Sequence, residues 1–413
     1  MKALSCCVAF ALAGVAVAVV ACGDSSSPPS GPQAASVTGI AGDSQVGATS
    51  HPLDVPLSVT TLGSNGQPVE GVAVSWSASP SNGAAFNPQT SPSDVSGIAS
   101  TVVTLGAVED TIVITATIPG LQQPVVFHAL SVNPCSFGRP YTVGNTVSER
   151  LTTTDCNAGG YYNDFYLLSP TVQTGMTLNM TGNFDTWIDM YLDNGTRLLP
   201  VGFHDDISSS NLNSRLSIVA APGDYVIAPN TANPAVTGNY TLTSSTHAES
   251  ASGCELLFVT YGVVLNDNVT ATDCPDTTGT GSYGDSLKIV VINGDVIKIS
   301  ERSAAVDPYL KLFHVVFRQN QSDSLDLVAW NDDSVATSTT AFVSHLVPGQ
   351  PGTQARLYII FAGTNGTTQT GAYTLDISAN TTLSGVARST PRSPWAFSLG
   401  KRVIPQLGLH RGL

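Results

Sequence analysis

The stretch from Cys135 to Cys156, CSFGRPYTVGNTVSERLTTTDC, and the stretch from Cys254 to Cys274, CELLFVTYGVVLNDNVTATDC, decide how this chain folds. Both close on Thr-Asp-Cys, and both open the same downstream order. In the first copy that order is Asp164-Phe165, Gly175-Met176-Thr177-Leu178, Asp185-Thr186-Trp187-Ile188, His204-Asp205-Asp206, Gly223-Asp224-Tyr225-Val226 and Gly238-Asn239-Tyr240-Thr241-Leu242. The second gives Asp285-Ser286-Leu287, Gly294-Asp295-Val296-Ile297, Asp307-Pro308-Tyr309-Leu310, Asn331-Asp332-Asp333, Arg356-Leu357-Tyr358-Ile359 and Gly371-Ala372-Tyr373-Thr374-Leu375. Self-similarity of this kind marks one structural unit used twice. It sets the repeats at residues 135–245 and 254–380.

Short alternating stretches bounded by Gly, Asn, Asp and Pro recur throughout, and no periodic stretch is long enough for a three-turn helix after the N-terminal apolar run. The expectation is an all-β chain: an Ig-like β-sandwich followed by two jelly-roll-like β-sandwiches. The Ig-like unit spans residues 35–133, where Val72, Val74 and Trp76 alternate onto one face and Trp76 is expected in the core. Charged residues are sparse, at 11 %, with a formal net charge of −14. An acidic surface of this kind repels nucleic-acid phosphates, so no nucleic-acid partner is expected.

Residues 1–21 read as a signal peptide, with Lys2 ahead of an apolar run too short to span a bilayer. The run ends in Val19-Val20-Ala21-Cys22, which resembles the lipobox of bacterial lipoproteins. That resemblance implies cleavage before Cys22 and acylation of its thiol, hence a membrane anchor, with two or more acyl chains needed for stable attachment. Residues 22–34, rich in Ser, Pro and Gly, read as a disordered tether. Gly23 after the anchor cysteine favours the outer membrane by the same resemblance. With Cys6 and Cys7 in the signal and Cys22 lipidated, four thiols remain. Four allow three pairings, and the duplication favours the local ones, Cys135 with Cys156 and Cys254 with Cys274.

The phrases NGQPVEGVAVSW, DVSGIASTVVTLG and TIVITATIPGL resemble the group 1 bacterial Ig-like domain of invasin and intimin stalks. This implies a rigid spacer with no catalytic residues. The two repeats resemble the pre-peptidase C-terminal domain, an accessory β-sandwich of secreted proteases. That likeness implies polymer binding, targeting or maturation, although no peptidase domain accompanies the repeats.

Asp205, Asp206, Asp332 and Asp333, with Asp185 and Asp307, are hard oxygen donors suited to calcium. The same Asp-Asp phrases are also good turn formers, and both readings stand at this point. No catalytic residue is assigned, because zinc-hydrolase, serine-hydrolase and phosphate-loop motifs are missing. His204 beside Ser208, Ser209 and Ser210 is adjacency and no more. Exposed aromatics such as Tyr161, Tyr162 and Trp330 are candidates for sugar stacking, yet burial in strands is the commoner fate of such residues. Residues 386–413 hold five Lys and Arg and no acid, and read as a basic, disordered tail. The function expected is adhesion or binding of a polysaccharide or protein polymer by an envelope protein without enzymatic activity. The alternative is an envelope hydrolase or the accessory subunit of a separate peptidase.

Overall fold

A computed structural model describes residues 31–379, apart from positions 196–197, 250–252, 255, 277–280, 319–322, 334–338, 351–353 and 367–368. Cys22, the signal peptide, most of the tether and the C-terminal tail lie outside the described residues. Among those described the regular structure is strand, with a single 3-10 turn at Pro134–Ser136.

The first unit is a two-sheet sandwich. One sheet runs Ser36–Ala41, Leu57–Leu62, Ile98–Leu105 and Ala84–Asn87; the other runs Gln45–Ala48, Val125–Val132, Asp110–Thr117, Ala73–Ser79 and Thr90–Pro92. Period-two alternation turns Val72, Val74 and Trp76 into its core, as the sequence predicts. Trp76 donates to the Ser91 hydroxyl at 2.9 Å, so the buried indole N–H is satisfied.

The two repeats share one sheet. Its main path runs Thr146–Leu151, Gly238–His247, Thr174–Gly182, Ser214–Ala220, Leu257–Val259, Tyr283–Ile292, Ala355–Thr364, Pro308–Val316 and Ser324–Asn331. The first four strands belong to the first repeat and the last four to the second. Leu257–Val259 joins them, parallel to both neighbours, with Ile218 opposite Phe258 and Leu257 opposite Leu287. Each repeat is completed by its own second sheet. In the second repeat that sheet is Val264–Val269, Gly371–Ala379, Val296–Arg302 and Thr340–Leu346.

The cores are therefore continuous across the repeats. Val290, Ile292, Val315 and Leu357 of the second pack into the cluster around Met176, Leu178 and Ile218 of the first. Conversely, Val219 and Ala221 join the cluster of the second. A three-residue strand inside the second cysteine loop thus fuses the two sandwiches.

Both local cysteine pairs are bonded. The phrase before the second cysteine of each pair is a turn of its own: Asp155 accepts from the Thr152 amide and Asp273 from the Thr270 amide. Aspartate three residues after a backbone donor closes such a turn, which accounts for the repetition of that phrase.

Candidate functional site

The registers of the two repeats can be overlaid strand by strand. Ile188 lies opposite His204 in the first and Leu310 opposite Asn331 in the second. Both hairpins carry an irregularity at the same place, Met190/Tyr191 and Leu312/Phe313. This equates Trp187 with Tyr309, Phe203 with Trp330, and His204 with Asn331.

At this end of each repeat sit an acidic turn and an aromatic pair. In the first, carboxylate oxygens of Asp185, Asp205 and Asp206 lie within 4.8 Å of one another, and Asn233 donates to Asp185 at 3.1 Å. Burial, then the Asp206 charge, pushes the Asp185 carboxyl up from its ordinary value. In the second, Asn365 donates to Asp332 at 2.7 Å, whose pKa is raised by burial and then by the charges of Asp307 and Asp333. The six acids named from sequence thus fall into two equivalent groups of three. Their oxygens suit a hard cation, and Asp185 Oδ1 is buried without a hydrogen bond. One carboxylate of each group is already engaged, Asp185 by Asn233 and Asp332 by Asn365. The two roles separate in one measurement: if Asp185, Asp205 and Asp206 hold calcium, millimolar Ca²⁺ should raise the melting temperature by several degrees over an EDTA control. An unchanged melting temperature assigns them to turns.

His204 has a structural part. Its Nδ1 lies 3.2 Å from the Arg215 amide and 3.1 Å from the Asp205 carbonyl. It can accept the first bond only when unprotonated, the form that burial favours by lowering its pKa. Asn331 does the same for the Phe342 amide at 2.9 Å. Adjacency to Ser208, Ser209 and Ser210 therefore has a bland cause: His204 caps a strand.

The aromatic pairs differ in exposure. Trp187 stacks on Phe203 with ring centroids 5.7 Å apart, and Phe258 from the joining strand meets Phe203 edge-on at 5.6 Å. Lys288 lies over the Phe258 ring. In the second repeat Tyr309 and Trp330 are 6.1 Å apart, and Trp330 is 60 % exposed. The expectation that Trp330 is a buried strand aromatic is corrected: its equivalent in the first repeat is covered by the second repeat, and it has no such cover among the described residues.

Inside each sandwich a motif tyrosine meets a motif aspartate. Tyr240 donates to Asp164 at 2.7 Å and Tyr373 to Asp285 at 2.5 Å. Burial raises Asp164 to about 6 and Asp285 to about 7. The surrounding residues have been exchanged. Tyr166, which bonds Tyr240, is replaced by Leu287, while Met180, opposite Leu242, is replaced by Glu301, opposite Leu375. Glu301 is fully buried. Its carboxyl stands well above the usual range through burial and the Asp285 charge, and neither oxygen makes a well-formed hydrogen bond. This buried acid was missed from sequence. The alternation Ile297, Ile299, Glu301 points it inward and was the available signal.

No protein-family model and no curated protein matches the chain. Among solved structures, a C-terminal 282-residue intimin fragment in complex with the translocated intimin receptor is 15 % identical, with a TM-score of 0.22, and 51 % of this chain covers 64 % of that one. Invasin, described as a bacterial integrin-binding protein, is 16 % identical with a TM-score of 0.19, the match covering 76 % of this chain and 60 % of invasin. A structure of carbohydrate-binding modules of the β-sandwich superfamily is 11 % identical with a TM-score of 0.17, covering 84 % of this chain and 97 % of the other. Likenesses this slight assign this chain neither a family nor a ligand; its all-β class rests on its own strands.

Proposed function

We propose that this protein is a lipid-anchored, non-enzymatic envelope protein of the adhesion or polymer-binding class. In this reading Cys22 carries the anchor, the protein sits at the outer membrane, and the Ig-like unit is a spacer. The distal face of the second repeat makes the contact. The observation that carries the reading is the exposed Trp330 ring beside Tyr309, next to the carboxylates of Asp307, Asp332 and Asp333. An indole face takes the apolar face of a sugar ring, while carboxylates accept from its hydroxyls. The chain's acidity favours a neutral polysaccharide over an anionic one.

The test is binding to a panel of neutral and acidic polysaccharides. A neutral polymer should be retained by the wild-type chain, and Trp330→Ala should weaken it by about tenfold or more with the melting temperature unchanged. Equal binding by the Trp330→Ala chain would remove this face from the account.

A further inference from the structure

Leu257–Val259 is the segment that follows the first repeat in the chain, and it docks back on that repeat. It pairs with the outer edge of Ser214–Ala220, placing Phe258 against Ile218 and Val259 against Val219. Thr260 completes the seat: its amide donates to the Val219 carbonyl at 3.1 Å, and its hydroxyl accepts from the Ala221 amide at 2.9 Å. Val219 is thereby fully buried.

The equivalent strand of the second repeat is Thr340–Leu346. It pairs with Val296–Arg302 as Ser214–Ala220 pairs with Thr174–Gly182, and the Phe342 amide is capped by Asn331 as the Arg215 amide is by His204. Its other edge has no partner strand among the described residues. Leu346, the counterpart of Val219, is 62 % exposed, and Phe342 on the same strand is exposed as well. An open strand edge with apolar side chains is a template for another strand.

We propose that the segment of this chain around Trp395-Ala396-Phe397 adds to the outer edge of Thr340–Leu346 and covers Leu346, leaving Trp330 open. Residues 380–413 lie outside the described residues. They hold the same place after the second repeat that residues 248–259 hold after the first. The described chain ends at Ala379, opposite Ile297, which is opposite His345. The departure point is thus two strand spacings, about 10 Å, from the open edge. The sixteen residues from Ala379 to Trp395 reach up to ~50 Å when extended, ample for the return. The segment brings two aromatic residues to an apolar edge. Its flanking Arg388, Arg392, Lys401 and Arg402 complement Asp332 and Asp333, in the turn that precedes the edge strand.

The proposal does not rest on the polymer reading, and its test involves no polymer. With Leu346→benzoylphenylalanine in the full chain, irradiation should cross-link position 346 to the tryptic peptide Ser393–Lys401 of the same molecule. Trp395→Ala with Phe397→Ala should abolish that cross-link. Ending the chain at residue 385 should speed amide exchange along Thr340–Leu346 by about tenfold or more. Cross-links to a second copy, to another protein or to no peptide, or exchange rates indifferent to the truncation, would each overturn it.

Discussion

Replacing Glu301 with methionine is expected to stabilise the second repeat by about 2–4 kcal/mol at pH 8. The first repeat already contains this substitution: Met180, in the same register, is fully buried in its core. Methionine approximates the volume of glutamate, so the change removes a dehydrated carboxyl without opening a cavity. The backbone of Gly363 and Tyr309 offsets part of the burial cost. Two oxygens without well-formed bonds mean that much of it remains.

The pH dependence should change with it. A carboxyl raised in the folded state binds its proton more tightly there than in the unfolded chain. Its contribution is fully present below the unfolded pKa and is lost as pH rises through the folded value. For Asp285 that window runs from the ordinary carboxylate value to about 7, and Glu301 acts in the same direction. Burial lowers the pKa of His204, His314 and His345, which oppose this gain on acidification from pH 8 to pH 6.5, while His51, raised by its bond to Asp155, adds to it in both chains. The wild-type chain should gain stability over that interval on acidification, and Glu301→Met should gain less. Thermal unfolding at the two pH values reads both effects. A destabilised Glu301→Met chain would show that the carboxyl makes a bond worth more than its burial costs.

The second large effect is expected at the junction. Phe258→Ala should cost about 3–5 kcal/mol and split the unfolding of residues 135–379 into two transitions by calorimetry. The ring is buried against Phe203, Ile218 and the first repeat's core. Without it, a three-residue parallel strand has little left to hold it in place. A single sharp transition at nearly unchanged temperature would mean that the shared sheet holds without this anchor.

The all-β class, the repeats and the four-cysteine pattern were legible because they rest on local signals: alternation, turn residues and recurring phrases. The six acids were legible too, as two groups, because each occupies the same slot of its repeat. The joining strand was not, since Leu257-Phe258-Val259 is too short to show a period and its partners are distant in sequence. The exposure of Trp330 was hidden for a related reason. The same position in the first repeat holds an aromatic covered by the joining strand, and no described residue covers Trp330 in that way. Glu301 was overlooked because a charged residue in a strand is ordinarily taken for a solvent-facing one, although its parity with Ile297 and Ile299 said otherwise.

The placement of the two cysteine loops bears on what happens when the chain is pulled along its length. Arg139, which meets Asp54, and Asp155, which meets His51, tie the Ig-like unit to the first repeat from within the Cys135–Cys156 loop. The strand joining the two repeats lies within the Cys254–Cys274 loop. Tension along the backbone crosses each loop through its sulfur bridge, so the residues that hold neighbouring units together are left out of the load path. Each bridge also withholds about 70 Å of chain from extension. A tether at one end and a ligand at the other would then strain the body of each sandwich while its junctions stay slack.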